Sequence, residues 1–214
     1  MVLAMAGTMA RLHKVDWAAA GLGDFGKPGN FFSRQIARWT RQWDMSGTAV
    51  NGDIDRLIAR LPAYIPPGDE TMIAHGDFGL GNLIFHPTEP RVFAVLDWEL
   101  STLGHPLANV AYNCMAWHTT PAQFDGILGL DLKALQIPSQ GDYRAHYMAS
   151  AGRSEGIKPF HLVFSLFRFA VIPEGIAAGA PGGSAVAADA AQVGAQAATF
   201  ERTATAIMDG AATR

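Results

Sequence analysis

The feature that most constrains the fold is a pair of strand-like runs that flank a turn with two prolines. The first run, NLIFH, begins at Asn82, the second, VFAVLD, ends at Asp97, and PTEPR lies between them. Short runs rich in β-branched and aromatic residues on either side of such a turn are typical of a β-hairpin. We therefore predict an antiparallel hairpin over these residues.

The rest of the chain has the periodicity of α-helices. Along residues 31–44 a single stripe recurs at helical spacing, formed by Phe32, Ile36, Trp39 and Trp43. Further helices are predicted over residues 53–61, through LANVAYNCMAW after Pro106, from Ser139 to Ala151, through FHLVFSLFRFAVI, and in the alanine-rich tail that begins at Ser184. The predicted fold class is therefore mainly α with one small β-hairpin, an α+β chain.

Composition excludes several classes of protein. The 214 residues are 49% hydrophobic and 16% charged, which is typical of a core-rich globular domain. The net charge of -3 argues against nucleic acid as the main partner. The single cysteine, Cys114, excludes an internal disulfide and suits a reducing cytoplasm. Since no apolar run approaches the roughly 20 residues that span a bilayer, we expect a soluble cytoplasmic protein with no membrane partner.

The open end of the predicted hairpin brings oxygen ligands together. A turn centred on Glu89 and Pro90 would place Asn82 opposite Asp97, and opposed side chains on neighbouring strands lie about 5 Å apart. Amide and carboxylate oxygens are the ligands that magnesium prefers, with substrate phosphates supplying others. We therefore predict a magnesium site at this pair, with Asp77, on the glycine-rich loop GDFGLG, folding back over the same end.

The spacing of His75, Asp77, Asn82 and Asp97 resembles the catalytic loop and metal-binding segment of the kinase-like phosphotransferases. The resemblance is closest to the aminoglycoside phosphotransferase and choline kinase-like family, whose second motif is similar to VLDWELSTLGHP. More narrowly, LHKVDW, GLGDFGKP, RQIARWTRQW and FSLFRFAVI resemble the phosphotransferase domains that are associated with acyl-CoA dehydrogenases. The resemblance covers nearly the whole chain.

This resemblance implies a small-molecule kinase that uses ATP and magnesium. It implies that Asp77 is the base that orients the acceptor hydroxyl, that Asn82 and Asp97 hold magnesium on the nucleotide phosphates, and that His75 braces the loop. The acceptor region that it implies, residues 142–176, is not rich in carboxylates. A small hydroxylated metabolite or a hydroxyacyl thioester therefore fits better as the acceptor than a polycationic aminoglycoside.

The same resemblance implies a C-terminal lobe alone. Kinase-like enzymes carry a β-rich N-terminal lobe in which a strand lysine pairs with a helix glutamate. Neither lysine before the catalytic loop lies in a strand-like run, and no glutamate precedes Glu70. We therefore expect a helical lead-in (1–70), the catalytic loop and metal hairpin (71–100), and a helical acceptor-side subdomain (101–214), with the N-terminal β-lobe absent.

Asp-Phe-Gly, the triplet of the kinase magnesium site, occurs twice. The copy at residues 77–79 lies in the catalytic loop, so the resemblance makes its aspartate the base and gives the metal role to Asp97. The copy at residues 24–26 lies within GLGDFG, which also spells the dinucleotide-binding fingerprint. Because that segment follows a helical run rather than a strand, we interpret it as a turn.

Three positions leave alternatives open. Related family members commonly have Gly-Asp-Pro followed by a second aspartate where this chain has His105 and Asn109. If that second aspartate braces the catalytic loop, Asn109 could still accept a hydrogen bond, but without charge. Arg168, amid the phenylalanines of SLFRFAV, either pairs with a carboxylate or faces an anionic substrate.

Two other functions compete with a kinase. The first is a non-catalytic kinase-like module that binds a ligand or partner without turnover. The second is a zinc or di-metal hydrolase whose ligands would be His75, Asp77, His86 and His105. His86 is predicted at the closed end of the hairpin, far from Asp97, which argues against a shared metal.

Overall fold

A computed structural model describes residues 1–46, 52–124, 126–179 and 197–210. The helices in these ranges are α1 (Val2–His13), α2 (Phe31–Ser46), α3 (Gly52–Arg60), α4 (Pro106–Cys114), α5 (Gln140–Ala151), α6 (Pro159–Gly179) and α7 (197–208). The strands are β1 (Met72–Ala74), β2 (Leu83–Phe85), β3 (Val92–Val95) and β4 (Thr102–Gly104). The mainly helical architecture is as predicted.

Local chemistry sets the ends of α5. The Ser139 hydroxyl accepts a hydrogen bond from the Asp142 amide (3.1 Å), and the Asp142 carboxylate accepts one from the Ser139 amide (3.2 Å). This reciprocal capping box satisfies two amides that would otherwise lack partners at the helix start. Gly152, with φ at 70°, ends the helix in the left-handed conformation that glycine adopts without cost. The helix predicted from Ser139 to Ala151 is confirmed.

The core lies between α6 and the helices around it. Helix α6 packs against both α2 and α4, while α1 packs against α5. The predicted stripe of α2 is buried, and its Phe32 ring packs edge-to-face on Phe164 of α6, with ring centroids 5.0 Å apart. Contact on several sides explains why α6 is apolar around most of its circumference. Cys114 is fully buried in the same core, as expected for a packing residue.

The prediction of a single hairpin is incomplete, because the described residues form two antiparallel sheets of two strands each. In the second sheet β1 pairs with β4, with Met72 opposite Gly104 and Ala74 opposite Thr102. Each of these strands has three residues, which is too few to show periodicity in the sequence. The two strands are also separated by the whole catalytic loop and hairpin, so no local turn signal connects them. Their pairing brings the start of the catalytic loop beside the chain that follows Asp97.

The hairpin itself is present, but the predicted register is wrong by one residue. The structure pairs Leu83 with Val95 and Ile84 with Ala94, whereas Phe85 pairs with Val92. The turn is therefore centred earlier than expected, and Phe93 is an extra, unpaired residue that forms a β-bulge. As a result, Asn82 lies opposite Leu96, whose amide donates to the Asn82 carbonyl (2.8 Å), and not opposite Asp97.

The remaining predicted helices agree with the structure in the described ranges. The alanine-rich tail is helical over 197–208, while its first part, up to residue 196, lies outside the described residues. Residues 21–26 form turns and bends, as predicted for GLGDFG. In the described part of the chain, even the apolar α6 is not a candidate membrane span.

Candidate active site

The catalytic loop leaves β1 at His75 and reaches β2 through a short 3-10 turn, Leu80–Asn82. Gly76 has φ at +88°, and a Cβ atom added there would lie 2.3 Å from the Leu100 carbonyl oxygen. Both the left-handed conformation and the close approach require glycine. The loop therefore packs directly on the segment that follows Asp97.

His75 connects these two segments. The ring is fully buried, its Nε2 lies 2.8 Å from the Leu96 carbonyl oxygen, and its Nδ1 accepts a hydrogen bond from the Asp77 amide (3.3 Å). Because Nδ1 accepts, the ring proton is on Nε2, which donates to the carbonyl. The residue thus fixes the backbone on both sides of the site, one residue before Asp97 and at Asp77 itself.

Asp77 and Asn82 are in direct contact. The Asn82 side-chain Nδ2 donates to the Asp77 carboxylate oxygen Oδ2 (3.0 Å) and to the Asp77 backbone carbonyl (2.9 Å). The amide is thereby held in one orientation, with its oxygen Oδ1 on the opposite side of the side chain. The 3-10 turn between the two residues makes this contact possible.

Asp97 lies one residue beyond the hairpin pair formed by Asn82 and Leu96. Its backbone has φ at 60°, a left-handed conformation in which aspartate is enriched over most other residues, and its side chain is exposed. The chain turns out of β3 at this point. Asn82 and Asp97 are therefore offset neighbours at the open end of the hairpin rather than directly opposed residues.

These residues fit a hard divalent cation. Asn82 uses its amide nitrogen on Asp77, which leaves its carbonyl oxygen available, and the exposed Asp97 supplies a carboxylate. An oxygen-only donor pair completed by water and substrate phosphates is what magnesium prefers. By contrast, within residues 1–46, 52–124, 126–179 and 197–210 no group of three or more His, Cys, Asp or Glu side chains is placed to hold a metal ion.

Tyr112 of α4 is a site residue that the sequence did not reveal. Its hydroxyl donates to the second carboxylate oxygen of Asp77, Oδ1, at 2.6 Å, and its ring stacks on Phe169 with centroids 5.1 Å apart. Burial, together with the hydrogen bond to Asp77, raises the pKa of Tyr112 well above its ordinary value. The hydroxyl is therefore a permanent donor at neutral pH. In the sequence, Tyr112 is indistinguishable from an ordinary core aromatic of an apolar helix.

The two positions that depart from the family pattern have structural roles. The His105 Nδ1 accepts from the Leu107 amide (3.2 Å), so this residue caps the start of α4. The Asn109 side chain lies 3.3 Å from the His13 ring, which in turn contacts the Tyr147 hydroxyl at 2.7 Å. Asn109 thus connects α4 to α1 and α5, and its recorded hydrogen bond does not reach the catalytic loop.

Beside the loop lies a cavity of about 320 Å³, lined among others by Gly76, Tyr112 and Arg168. The Arg168 Nη1 donates to the Gly76 carbonyl oxygen (3.3 Å), and the guanidinium lies over the rings of Trp39 (5.7 Å) and Phe169 (5.5 Å). Among the described residues no carboxylate forms a salt bridge with Arg168. The first interpretation of this arginine, a pair with a carboxylate, is therefore not what the structure shows.

Sequence and structure comparisons identify relatives of the chain. A sequence model of the phosphotransferase enzyme family (APH) matches residues 1–146. Mouse (Mus musculus) acyl-CoA dehydrogenase family member 10 is 41% identical over 199 residues, which cover 89% of this chain and 18% of the mouse protein. The chain therefore spans less than a fifth of the length of that curated relative.

Solved structures agree with the sequence match. A candidate aminoglycoside phosphotransferase from Ralstonia eutropha is similar with a TM-score of 0.86 at 46% identity, over 95% of this chain and 64% of that one. A macrolide 2'-phosphotransferase from Brachybacterium faecium is similar in fold, with a TM-score of 0.56 at 18% identity, over 90% of this chain and 59% of that one. The chain belongs to the phosphotransferase enzyme family and has a kinase-like fold.

Proposed function

We propose that this chain transfers the γ-phosphate of ATP to a hydroxyl group of a small molecule, with Asp77 as the base. The observation that carries the proposal is the environment of the Asp77 carboxylate. Asn82 and Tyr112 each donate to one of its oxygens, and Gly76 and Tyr112 line the cavity next to it. Membership of the phosphotransferase family supports the same reaction.

The Asp77 carboxylate retains the capacity to accept a third hydrogen bond. Each carboxylate oxygen offers about two acceptor positions, and Asn82 and Tyr112 occupy one on each. In the proposed step the acceptor hydroxyl donates to Asp77, its oxygen forms the new bond to the γ-phosphorus, and the bond from that phosphorus to the bridging oxygen of ADP breaks. The hydroxyl proton passes to Asp77. Such general-base assistance contributes a factor of roughly 10²–10⁴ in rate.

Asn82 and Asp97 are the residues that would hold magnesium, which neutralises charge on the nucleotide phosphates when bound. The contact between Asn82 and Asp77 couples the two halves of the site, since one side chain both orients the base and presents an oxygen to the cation. His75 does not touch the reacting atoms in this scheme. Its hydrogen bonds to the Asp77 amide and the Leu96 carbonyl hold the base and the metal segment in a fixed relation.

We infer that another β-rich lobe covers the open face of the hairpin. The hairpin and the segment that follows it expose large apolar side chains, namely Ile84, Phe93, Leu96, Trp98 and Leu100, with exposed fractions between 42% and 68%. Apolar exposure of this extent favours a surface that is covered in the functional state. A chain without such a lobe would leave the adenine side of the cleft open and bind ATP weakly.

The name of a relative and the composition of the chain bear on the acceptor and the compartment. The mouse relative is named as an acyl-CoA dehydrogenase family member, which favours a small hydroxylated metabolite or a hydroxyacyl thioester over an aminoglycoside as the acceptor. The single cysteine is buried and the net charge is -3, consistent with a cytoplasmic protein whose partner is a small molecule rather than nucleic acid or a membrane.

A non-catalytic kinase-like binding module is the second candidate function. The observation that favours it is the hydrogen bond of Asn109, which goes to His13 rather than to the catalytic loop. In that case the site would bind a ligand and leave ATP intact.

Phosphoryl transfer distinguishes the two candidates. The purified chain is incubated with millimolar Mg-ATP and either 3-hydroxybutyryl-CoA or kanamycin, and mass spectrometry measures the phosphorylated acceptor. We expect the hydroxyacyl thioester to be phosphorylated slowly, and Asp77→Asn to lower that rate by roughly 10²-fold or more. Transfer at an unchanged rate in Asp77→Asn would exclude this residue as the base, and no transfer to any acceptor would favour the binding module.

A further inference from the structure

The cavity beside Asp77 contains two arginine side chains. Arg168, on α6, and Arg38, on α2, both line it, and both guanidinium groups lie over the ring of Trp39, at 5.7 and 5.1 Å from its centroid. Two like charges near one aromatic ring repel each other, and a bound anion would relieve this repulsion. The pair therefore favours an anionic ligand.

Arg168 is held in place by the fold rather than by an ion pair. Its Nη1 donates to the Gly76 carbonyl, and its ring contacts are to Trp39 and Phe169. Its Nε is buried and, within the described residues, has no hydrogen-bond partner. A guanidinium offers five donors in a planar fork that fits carboxylate and phosphate oxygens. Within the described residues, the one hydrogen bond from this guanidinium, at 3.3 Å, leaves most of that donor capacity unused.

Among the described residues, no carboxylate forms a salt bridge with either of these two arginines. Glu99 is the carboxylate among the described lining residues, and it is exposed. Asp77 adjoins the cavity through Gly76 and Tyr112, and its carboxylate accepts hydrogen bonds from Tyr112 and Asn82. Burial and the charge of Arg38 lower the pKa of Arg168, while the nearby Tyr112 and Asp77 raise it. Arg168 nevertheless remains protonated at neutral pH, because an arginine starts from a pKa far above it.

We propose that Arg168, assisted by Arg38, binds an oxyanion of the phosphate acceptor, so that the acceptor is a hydroxylated carboxylate or phosphate and not a neutral or cationic alcohol. The proposal rests on the proposed phosphoryl transfer and narrows its substrate class. The Gly76 carbonyl that Arg168 contacts belongs to the residue next to Asp77, so an anion held by Arg168 sets the distance of the substrate from the base. A cavity of about 320 Å³ suits a small acid.

Binding of small probes without nucleotide tests this proposal independently of turnover. The probes are 3-hydroxybutyrate, sn-glycerol 3-phosphate and the neutral butane-1,3-diol, and ligand-observed NMR titration measures their dissociation constants. We expect wild-type chain to bind at least one anion at least tenfold more tightly than the diol. A comparison of 3-hydroxybutyrate with sn-glycerol 3-phosphate shows whether the cavity prefers a carboxylate or a phosphate.

Variants then assign the binding to the arginines. Arg168→Gln keeps a donor for the Gly76 carbonyl and removes the charge, and it should weaken anion binding at least tenfold without changing diol binding. Arg38→Gln, on an exposed position, should weaken anion binding severalfold and supplies the test if Arg168→Gln fails to fold. Arg202→Gln is the matched control, because Arg202 is exposed and contacts Thr199 away from the cavity. Arg202→Gln should leave the dissociation constants of the anions and the diol unchanged.

Two results would overturn the proposal. Equal affinity of the wild-type chain for the anions and the diol would show that the cavity does not select charge. Undiminished anion binding in the folded arginine variants would show that Arg168 only positions the catalytic loop. Neither result depends on ATP, so failure here is distinguishable from failure of phosphoryl transfer, which leaves the binding constants unchanged.

Discussion

The hydrogen bond between Tyr112 and Asp77 makes a quantitative prediction about coupling. The two oxygens are 2.6 Å apart, within the range of hydroxyl hydrogen bonds to an ionised carboxylate. Hydrogen bonds to charged groups contribute about 1.5–3 kcal/mol. The Tyr112 ring also stacks on Phe169, and Tyr112→Phe retains that stacking while it removes the hydroxyl. A coupling free energy of about 2 kcal/mol between positions 112 and 77 is therefore expected.

A double-mutant cycle measures this coupling. Free energies of unfolding are determined by guanidinium titration for wild type, Tyr112→Phe, Asp77→Ala and the double variant. Tyr143→Phe is the matched control, because its hydroxyl is also buried and hydrogen-bonded, but to Asn113 (2.7 Å) rather than to Asp77. Tyr143→Phe combined with Asp77→Ala should be additive within about 0.5 kcal/mol. Additivity of the Tyr112 cycle as well would refute the view that this tyrosine holds the carboxylate.

Two further predictions concern the loop and the buried histidines. Gly76→Ala should lower the free energy of unfolding by at least about 2 kcal/mol, because it combines a left-handed backbone with a Cβ atom 2.3 Å from the Leu100 carbonyl oxygen. Gly21 also has a left-handed backbone but lies in open space, so Gly21→Ala should lower the free energy of unfolding by less. Equal losses in the two variants would contradict the contact argument. Burial, with the positive charge of Arg153, lowers the pKa of His13 to about 3. Below about pH 6.5 the unfolded chain therefore binds a proton at His13 that the folded chain does not. The free energy of unfolding should then fall by up to about 1.4 kcal/mol per pH unit below that pH. Burial also lowers the pKa values of His105 and His161, to about 4, so urea titrations between pH 7.5 and pH 5 should show a summed slope that His13→Gln reduces without removing. An identical slope in that variant would assign it to other groups.

The sequence predicted the elements with strong local signals. The stripe of α2, the capped start and glycine end of α5, and the two runs of the hairpin are each encoded within a few neighbouring residues. The register of the hairpin was not predictable in this way, because it depends on where the turn is centred and on the bulge at Phe93. The turn is centred one residue earlier than predicted, and Phe93 is an extra residue in its strand. Together these two differences make Leu96, and not Asp97, the partner of Asn82.

The parts of the site that the sequence missed come from distant segments. Tyr112 reaches Asp77 from another helix. Arg168 stood out in the sequence, but its contact with Gly76, from further still along the chain, was not predicted. A side chain on an apolar helix gives no sign of which loop it contacts in the folded state. The β1–β4 sheet was missed for a similar reason, since its short strands pair only after the whole intervening segment has folded.

The central claim concerns the division of roles between Asp77 and Asp97, and titration of ATP with and without magnesium tests it most directly. Calorimetry on the purified chain should give millimolar or weaker Mg-ATP affinity, about -4 kcal/mol or less favourable, and removal of magnesium should weaken it further. Asp97→Ala should abolish the magnesium dependence, whereas Asp77→Asn should preserve it. Equal loss of Mg-ATP binding in both variants would contradict the account, and micromolar affinity of these 214 residues alone would contradict the proposal that a further β-rich lobe completes the ATP cleft.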